Sequence, residues 1–502
     1  MEIDSGSEVR IEPSPLTKII ATVGPASSTA ETIGRLIEAG VSIFRLNFGH
    51  GSIEEHTAHL ETIRSVAGKL GRPTAVLGDL QGPKIRVGEV AGHGIELVTG
   101  STVILQRRPV IATPAAPGEA HRLSSTYSAL VDDVRPGQRL LVDDGAVRML
   151  IVEKGPDEVR CTVTDGGLVR SHKGINLPDT DLTVQTLSER DWWHVQWAVE
   201  HDLDFLALSF VRSADDVRQL AAGVQRITDQ FGCRGMCLPI IAKIEVPKAL
   251  EQIEAIVEAA DGIMIARGDL GVEMDLAQVP VIQKRLVAIA QEQGKPCIVA
   301  TQMLQSMIRE PAPTRAEAND VANAIFDQAD AVMLSGETAV GLYSEVAVEH
   351  MRRIALHSEA YLATLPPRAT PPAKLRAARH HEAGLAHGVW TIAQDVDARC
   401  IVVWSQAGGG ARYLSQNNFH VPIIAVTSDE RAARQMQILG GVIPRRMAPP
   451  ASIGAFTKIM DRHLQEFGLA KKGDTCLIVA GEPLGEAGVT DSITIHTVGT
   501  TE

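Results

Sequence analysis

Residues 18–47 read KIIATVGPASSTAETIGRLIEAGVSIFRLN, and this stretch contains one complete unit of the fold. A short β-type run, Lys18–Val23, comes first, and an amphipathic helical pattern spans Ala30–Ala39. A second β-type run, Ser42–Asn47, follows closely. A strand, a helix and a second strand in this order are typical of a parallel βα unit, so the stretch predicts a parallel sheet covered by helices.

The same alternation continues as far as Ser335 and gives eight candidate strands. Most of them follow one another at a spacing of about 25 to 35 residues, which is typical of a βα unit, and helical patterns such as Leu276–Gln293 lie between them. The candidate strands are Lys18–Val23, Ser42–Asn47, Ala75–Asp79, Asp204–Ser209, Pro239–Lys243, Gly262–Ala266, Cys297–Thr301 and Ala331–Ser335. Eight such units predict an α/β fold of the (β/α)8 TIM-barrel type.

One long gap interrupts this spacing, between Asp79 and Asp204. Glycine, proline and alternating apolar residues dominate there, as in Gln138-Arg-Leu-Leu-Val-Asp-Asp-Gly145. This pattern predicts a small β-barrel domain of residues 88–177, inserted after the third strand. The catalytic barrel would then comprise residues 17–87 and 178–364, after an N-terminal tail of residues 1–16.

A second α/β region follows the eighth strand. Residues 365–374, LPPRATPPAK, predict a stiff proline-rich linker. Four further β-type runs, Cys400–Trp404, Pro422–Val426, Cys476–Ala480 and Ser492–Val498, predict an open sheet for residues 375–502, because they are too few for another closed barrel.

Composition excludes several classes of protein. The 502 residues include 48 Lys and Arg against 61 Asp and Glu, and the resulting net charge of −13 disfavours a nucleic-acid-binding protein. Neither a secretion signal nor an apolar run of about 18 residues is present, so no membrane association is expected. The six cysteines are sparse and form no Cys-x-x-Cys pair, which favours buried thiols in the reducing cytoplasm.

Charged and hydroxyl residues cluster at the carboxyl ends of the candidate strands. In a (β/α)8 barrel these ends share one face, where active sites are built. The residues concerned are Arg45, Asn47, Asp79, Ser209, Lys243, Glu245, Asp269, Thr301, Ser335 and Glu337. Each one alone is typical of a solvated loop, but seven of eight strands ending in this way predict an active site.

The residue types of this set indicate its chemistry. Glu245 and Asp269 supply two carboxylates suited to Mg²⁺, while Arg45, Arg86 and Lys243 supply positive charge for phosphate or carboxylate oxygens. No phosphate-binding Gly-x-x-x-x-Gly-Lys-Ser/Thr loop and no dinucleotide-binding Gly-x-Gly-x-x-Gly turn occurs. The residues alone thus predict a Mg²⁺-dependent barrel enzyme acting on a phosphorylated or carboxylated small molecule.

Eight segments, taken together, resemble the pyruvate kinase family. In chain order they are Lys18–Ser27, Phe44–Gly51, Gly82–Arg86, Lys173–Pro178, Ala242–Glu245, Met264–Glu273, Ala300–Met307 and Met333–Ala339. The resemblance implies transfer of a phosphoryl group from phosphoenolpyruvate to ADP, which gives pyruvate and ATP. The fold of that family, with a β-domain inserted after the third barrel strand and a C-terminal α/β domain, agrees with the domain order predicted here.

The resemblance also implies roles for individual residues. Glu245 and Asp269 would bind Mg²⁺ or Mn²⁺, Lys243 would neutralise the transferring phosphoryl group, and Arg45 would bind the substrate phosphate. Backbone N–H groups of Gly268 and Asp269 would face the substrate carboxylate.

Protonation of the enolate is assigned by the same resemblance to the side of Thr301. Because a threonine hydroxyl is a poor acid, a water relay is expected there. Ser335 and Glu337 would complete this relay, with packing or capping as the alternative role.

Five residues would contact the nucleotide: Asn47, His50, Arg86, Lys173 and Asp144. A capping role for Asn47 and a structural role for His50 stay open. Asp144 belongs to an Asp-Asp-Gly loop that either covers the nucleotide or forms a plain turn.

Departures from the commonest family pattern concern the activating K⁺. Many members carry a Ser where this chain has Gly49, and Asp-Thr-Lys-Gly-Pro-Glu where it has residues Asp79–Lys84. The pattern here resembles the potassium-independent branch, so we expect no K⁺ requirement, with the ammonium group of Lys84 in place of the ion.

Three points stay open in the sequence. An enolate-stabilising Mg²⁺ lyase and an inactive regulatory homologue are alternatives, although the former class lacks the β-insertion. The loop Trp404–Arg412 is either an effector-binding glycine loop or a simple turn. A homotetramer is expected by analogy with the family only.

Overall fold

The computed structural model describes residues 14–116, 118–232, 238–365 and 381–500. Tail residues 1–13, the linker prediction beyond residue 365, and Cys233 and Cys237 lie outside the described residues. In the described part, no helix combines the length and apolar character that crossing a membrane would require.

Eight parallel strands close into a barrel, which confirms the predicted fold. Each strand pairs with its neighbours in the chain, and the first closes on the eighth through the register Lys18 to Ala331. The strands are Lys18–Thr22, Val41–Asn47, Ala75–Asp79, Phe205–Leu208, Ile240–Ile244, Gly262–Ala266, Cys297–Ala300 and Ala331–Leu334. Their residues are almost all buried, as expected for parallel strands that are covered on both faces.

Capping boxes begin several of the surrounding helices, for example Ser52 with Glu55 and Ser188 with Asp191. The predicted helix Leu276–Gln293 is divided into a 3₁₀ turn and an α-helix, because Pro280 is accommodated in the first turn of a new helix. The helices are Ala30–Ala39, Ile53–Lys69, Glu189–Glu200, Ala214–Gln230, Pro247–Glu251, Ile253–Ala259, Arg267–Glu273, Val279–Glu292, Arg315–Phe326, Gly336–Ala339 and Ser344–Leu362, with 3₁₀ turns at Leu276–Gln278 and Gln305–Ile308.

The inserted domain consists of a six-stranded sheet and a two-stranded ribbon around its own hydrophobic core. Single bridges from Arg86 to Gly174 and from Val87 to Ser125 join the two edges of the sheet. The predicted small β-barrel is therefore closed by isolated bridges and not by a continuous ladder. Its strands are Ile95–Leu97, Thr102–Gln106, His121–Ser124, Arg139–Val142, Val147–Lys154, Glu158–Asp165, Gly167–Val169 and Ile175–Asn176, with one short helix, Leu130–Asp133.

The C-terminal domain has an open five-stranded sheet, as predicted, in which four strands are parallel and the last is antiparallel. One edge strand, Val442–Arg446, was not predicted, because Pro444 and two arginines obscure its pattern. Proline is tolerated at an edge because no further strand needs its missing N–H. The other strands are Cys400–Trp404, Ile423–Thr427, Thr475–Ala480 and Ser492–Thr497, and the helices are His381–Asp395, Gly409–Ser415, Glu430–Gln435 and Ile453–Glu466, with a 3₁₀ turn at Met436–Ile438.

The C-terminal domain packs against the amino-terminal ends of the barrel strands. Ile20 and Met333, from the barrel interior, belong to the same hydrophobic cluster as Trp390 and Val442. The Lys18 ammonium donates a hydrogen bond to the carbonyl oxygen of Val442 across this boundary. The carboxyl ends of the strands therefore remain open for an active site beneath the inserted domain.

Candidate active site

A buried lysine occupies the centre of the face formed by the strand carboxyl ends. The Lys243 ammonium lies 2.8 Å from Glu245 Oε1 and 3.2 Å from Asp79 Oδ1, and it donates a 2.7 Å hydrogen bond to Ser209 Oγ. Burial acts to lower the pKa of Lys243, but the two carboxylates outweigh it and the pKa is raised. Lys243 is therefore a fixed positive charge at any physiological pH.

Arg45 is held next to Lys243 by the same aspartate. Its Nε donates a 2.6 Å hydrogen bond to Asp79 Oδ2, and Nη1 donates one of 3.1 Å to Thr22 Oγ1. Burial opposes ionisation of Asp79, yet Lys243 and Arg45 hold its pKa below the ordinary value. One carboxylate thus orients two cations, which fixes both positive charges without any ligand.

Two further carboxylates face each other beside Lys243. Glu245 is buried, and its Oε2 accepts a 2.7 Å hydrogen bond from the backbone N–H of Phe210. Asp269 lies in the first turn of the helix Arg267–Glu273. Burial and then the charge of Glu245 raise the pKa of Asp269 to about 6, with a smaller contribution from Asp144. This repulsion between carboxylates would be relieved by a bound cation.

The carboxylates of Glu245 and Asp269 fit a divalent metal that takes most of its ligands from water and substrate. Within the described ranges, no group of three or more His, Cys, Asp or Glu side chains is arranged to hold a metal. Glu245 and Asp269 would therefore supply two oxygens, and water and substrate would supply the rest, which is the usual situation for Mg²⁺.

Thr301 directly follows the seventh strand and has a strained conformation. Its φ angle is +67°, which is rare for a β-branched residue. The hydroxyl donates a 2.6 Å hydrogen bond to the Ala300 carbonyl oxygen and accepts one of 2.7 Å from the Gly268 N–H. The Gly268 N–H, predicted to face a substrate carboxylate, is thus bonded to Thr301 in this structure.

Ser335 and Glu337 differ in what they contact. The two carboxylate oxygens of Glu337 accept hydrogen bonds from the backbone N–H groups of Leu304, at 3.0 Å, and Ser335, at 2.8 Å. Glu337 therefore joins the loops after the seventh and eighth strands, and its oxygens are occupied. The Ser335 hydroxyl is buried and has no hydrogen-bond partner among the described residues, so it is available to a relay water.

Of the five predicted nucleotide contacts, two lie in the loop after the second strand. The Asn47 amide nitrogen lies 3.0 Å from His50 Nδ1, and its Oδ1 accepts a 3.1 Å hydrogen bond from the Gly49 N–H. Asn47 therefore stabilises this turn. Partial burial of the ring and then the charge of Lys84 lower the pKa of His50.

The other three lie where the inserted domain meets the barrel. Arg86 Nη1 donates a 2.7 Å hydrogen bond to the His172 carbonyl oxygen, and Lys173 pairs with Asp143 at 2.9 Å. Asp144 follows Asp143 in a turn where both have φ of 53°. A Cβ placed on Gly145, the next residue, would lie 3.8 Å from Val272, so this turn lies against the helix that carries Asp269.

Lys84 lies among the charged groups of the site. Lys84 is exposed as a whole, but partial desolvation of its ammonium, followed by the charges of Arg86 and Lys243, lowers its pKa, while Asp269 and Asp79 act in the opposite direction. Its ammonium forms no ion pair within 4.0 Å in the described part of the chain.

Two residues with clear contacts to the site were not predicted. Arg267 is buried, donates a 2.9 Å hydrogen bond to the Thr301 carbonyl oxygen and pairs with Asp320 at 2.8 Å. Glu273 accepts a 2.7 Å hydrogen bond from the Asn176 side chain, and burial raises its pKa to about 7. Both belong to the segment Met264–Glu273, but nothing in its residue types distinguishes them from surface charges.

Comparison with known proteins agrees with this geometry. The family model described as pyruvate kinase, barrel domain, matches residues 14–348, and the pyruvate kinase alpha/beta domain matches residues 384–496. The chain is 41% identical over 482 residues to the pyruvate kinase of Mycobacterium intracellulare, covering 96% of this chain and 98% of that protein. It is 40% identical over 483 residues to the pyruvate kinase of Corynebacterium glutamicum, with the same coverage.

A solved structure gives the same result. The crystal structure of a pyruvate kinase from Cryptosporidium parvum matches with a TM-score of 0.86 and 31% sequence identity, over 97% of this chain and 96% of that chain. The chain therefore belongs to the pyruvate kinase family.

Proposed function

We propose that the chain transfers the phosphoryl group of phosphoenolpyruvate to ADP and so forms pyruvate and ATP in glycolysis. The observation that carries this proposal is the permanently charged Lys243, which lies between Asp79 and Glu245 and beside Arg45. A phosphoryl group in transfer spreads negative charge over its oxygens, and positioned cations stabilise that charge.

Each charged residue then has a separate task. Lys243 neutralises the transferring group, and Arg45, oriented by Asp79, binds the substrate phosphate. Members of this family generally need a divalent metal. We propose that Glu245 and Asp269 hold Mg²⁺ or Mn²⁺ here, and such an ion would supply further positive charge at the substrate oxygens.

We propose that the enolate is protonated from the side of Thr301. The Ser335 hydroxyl, which has no partner among the described residues, supports a water relay near Thr301. Binding of the substrate carboxylate to the Gly268 N–H would require the Thr301 hydroxyl to release that group first. Substrate binding and exposure of the Thr301 hydroxyl would thus be one event.

The same proposal includes the nucleotide contacts, the replacement of K⁺, the cellular location and the oligomeric state. Arg86, Lys173 and Asp144, at the junction with the inserted domain, would face the nucleotide. Lys84 would replace the activating K⁺, and the charges of Asp269 and Asp79, which act on its ammonium, support this role. A cytoplasmic location and a homotetramer complete the proposal by analogy with the family.

A coupled assay tests this function. Phosphoenolpyruvate, ADP and Mg²⁺ are supplied, and pyruvate is measured through NADH oxidation by lactate dehydrogenase. Lys243→Met should lower kcat by orders of magnitude while phosphoenolpyruvate binding changes little. The matched control is Lys248→Met, which removes a lysine whose side chain is 43% exposed.

The outcome also separates the alternatives. A lyase would consume phosphoenolpyruvate or pyruvate without ADP, and an inactive homologue would bind ligand without turnover. A near-wild-type rate for Lys243→Met would remove this lysine from its proposed task.

A further inference from the structure

Two cysteines of the C-terminal sheet lie side by side, far from the active site. Cys400 and Cys476 occupy directly paired positions on the neighbouring parallel strands Cys400–Trp404 and Thr475–Ala480. Their Sγ atoms are 3.2 Å apart, and both side chains are fully buried. We propose that this pair is a modification site, at which hydrogen peroxide converts the two thiols into an intramolecular disulfide.

The backbone geometry allows this bond. Neighbouring strands lie about 4.8 Å apart, which falls within the roughly 4.4–6.8 Å that separates the Cα atoms of disulfide-bonded cysteines. Because the two residues are in register on parallel strands, their side chains project from the same face of the sheet. The sulfur atoms need to approach by only about 1.2 Å to reach the bonded distance of about 2.0 Å.

The environment of the pair differs from that of the other described cysteines. A hydrogen bond from the Cys400 thiol lowers the pKa of Cys476, although burial acts against this. Burial alone raises the pKa of Cys161 to about 12, and that of Cys297 is also raised, chiefly by burial. Because the thiolate is the reactive form, Cys476 is the preferred site of first attack.

Access comes from the ends of the strands. Cys400 is the first residue of its strand and directly follows the exposed Arg399. Cys476 is the second residue of its strand. Small openings at strand ends occur far more often than global unfolding, and peroxide is a small uncharged oxidant.

The reaction balances in two steps. The Cys476 thiolate attacks one oxygen of hydrogen peroxide, the O–O bond breaks, and a sulfenic acid and hydroxide form. The Cys400 sulfur, as its proton leaves, then attacks the sulfenic sulfur and displaces a second hydroxide. The departing thiol proton and one taken from solvent convert the two hydroxides into two waters. Two thiols are oxidised to one disulfide, and one peroxide is reduced.

Peptide mapping of the full-length protein tests the proposal. The protein is treated with a small excess of hydrogen peroxide, alkylated after denaturation, digested and analysed by mass spectrometry. We expect a peptide that joins Cys400 to Cys476, absent from untreated protein and lost after reduction. Cys161 and Cys297 should remain alkylatable.

Two matched variants sharpen the result. Cys400→Ser should abolish the linked peptide and leave Cys476 as sulfenic or sulfinic acid, whereas Cys297→Ser should leave the cross-link unchanged. The proposal is overturned if Cys400 and Cys476 in the wild-type protein stay as fully reduced as Cys297. It is also overturned if the peroxide-dependent disulfides join other cysteines or separate chains.

Discussion

The side-chain amide of Asn176 donates a 2.7 Å hydrogen bond to Oε1 of Glu273, and this bond joins the inserted domain to the helix that carries Asp269. Arg86 and Lys173 make their contacts within the segments that connect the same domain to the barrel. The Asn176–Glu273 bond thus helps to set the position of the inserted domain over the active site.

Removal of this bond should weaken nucleotide binding more than phosphoenolpyruvate binding. A hydrogen bond to a buried acceptor contributes on the order of 1 kcal/mol, so Asn176→Ala should raise KM for ADP about fivefold. Steady-state kinetics with each substrate varied in turn measures the effect. Gln106→Ala, which removes two hydrogen bonds inside the same domain, is the control. Equal KM values for ADP in the two variants would contradict the prediction.

Glu273 should also make stability depend on pH. Burial raises its pKa from 4.5 to about 7 in the folded protein, so the folded state binds the proton more tightly than the unfolded state. The stabilisation of the folded protein by the protonated Glu273 is fully present below pH 4.5 and is lost as the pH rises through 7.

Glu273→Gln should remove this decrease in the free energy of unfolding, which amounts to about 3 kcal/mol at most. We expect the melting temperatures of variant and wild type to agree near pH 4 and the variant to be more stable at pH 8. A constant difference across this range would show that the ionisation of Glu273 does not control stability.

Arg267 should act on turnover through Thr301. Its hydrogen bond to the Thr301 carbonyl oxygen holds a residue at φ of +67°, a conformation that relaxes when its support is lost. Arg267→Met should therefore lower kcat about 10- to 100-fold with a smaller change in KM. Arg285→Met, which removes an exposed arginine, is the matched control. Unchanged kcat in Arg267→Met would exclude this positioning role.

Lys84 should make the enzyme independent of K⁺. Replacing K⁺ by tetramethylammonium at constant ionic strength should change the wild-type rate less than about twofold, because the ammonium group already supplies the charge. Leu80→Thr/Lys84→Glu, which removes this charge and adds oxygen ligands, should lose activity in tetramethylammonium and regain part of it in K⁺. Strong stimulation of the wild-type protein by K⁺ would refute the proposal.

Replacement of Arg434, which pairs with Asp204 across the boundary between the barrel and the C-terminal domain, should destabilise the protein. This carboxylate is fully buried and pairs with Arg64 at 2.8 Å and with Arg434 at 2.7 Å. Arg434→Met leaves Asp204 with Arg64 as its ion-pair partner and with the hydrogen bond from the Val76 N–H, and the loss of one cation should cost on the order of 3 kcal/mol of stability. Thermal unfolding measures the loss, with the exposed Arg122→Met as control. Equal melting temperatures would show that Arg64 alone compensates the charge.

The barrel could be predicted because its pattern repeats. Each strand is an apolar run, and the polar residues at the carboxyl ends, such as Lys243 and Thr301, meet wherever eight units close. The edge strand Val442–Arg446 could not be predicted, because Pro444 and two arginines obscure its pattern, and its pairing with Ile423–Thr427 is visible only in the structure.

The contacts of individual polar side chains could be predicted only in part from the sequence. The sequence predicts that Glu337 lies near Thr301, but only the structure shows that both carboxylate oxygens of Glu337 accept hydrogen bonds from backbone N–H groups. The role of Arg267 could not be predicted, because a single sequence does not show whether an arginine is buried or lies on the surface.

The shared hydrophobic cluster of Ile20, Met333, Trp390 and Val442 determines which parts of the chain fold together. The interior of the barrel and one face of the C-terminal sheet are a single core, whereas the inserted domain has a separate one. A truncated chain that ends at residue 365 would expose the apolar floor of the barrel to water. We therefore expect the two largest domains to unfold as one cooperative unit and the inserted domain, which has its own core, to unfold separately.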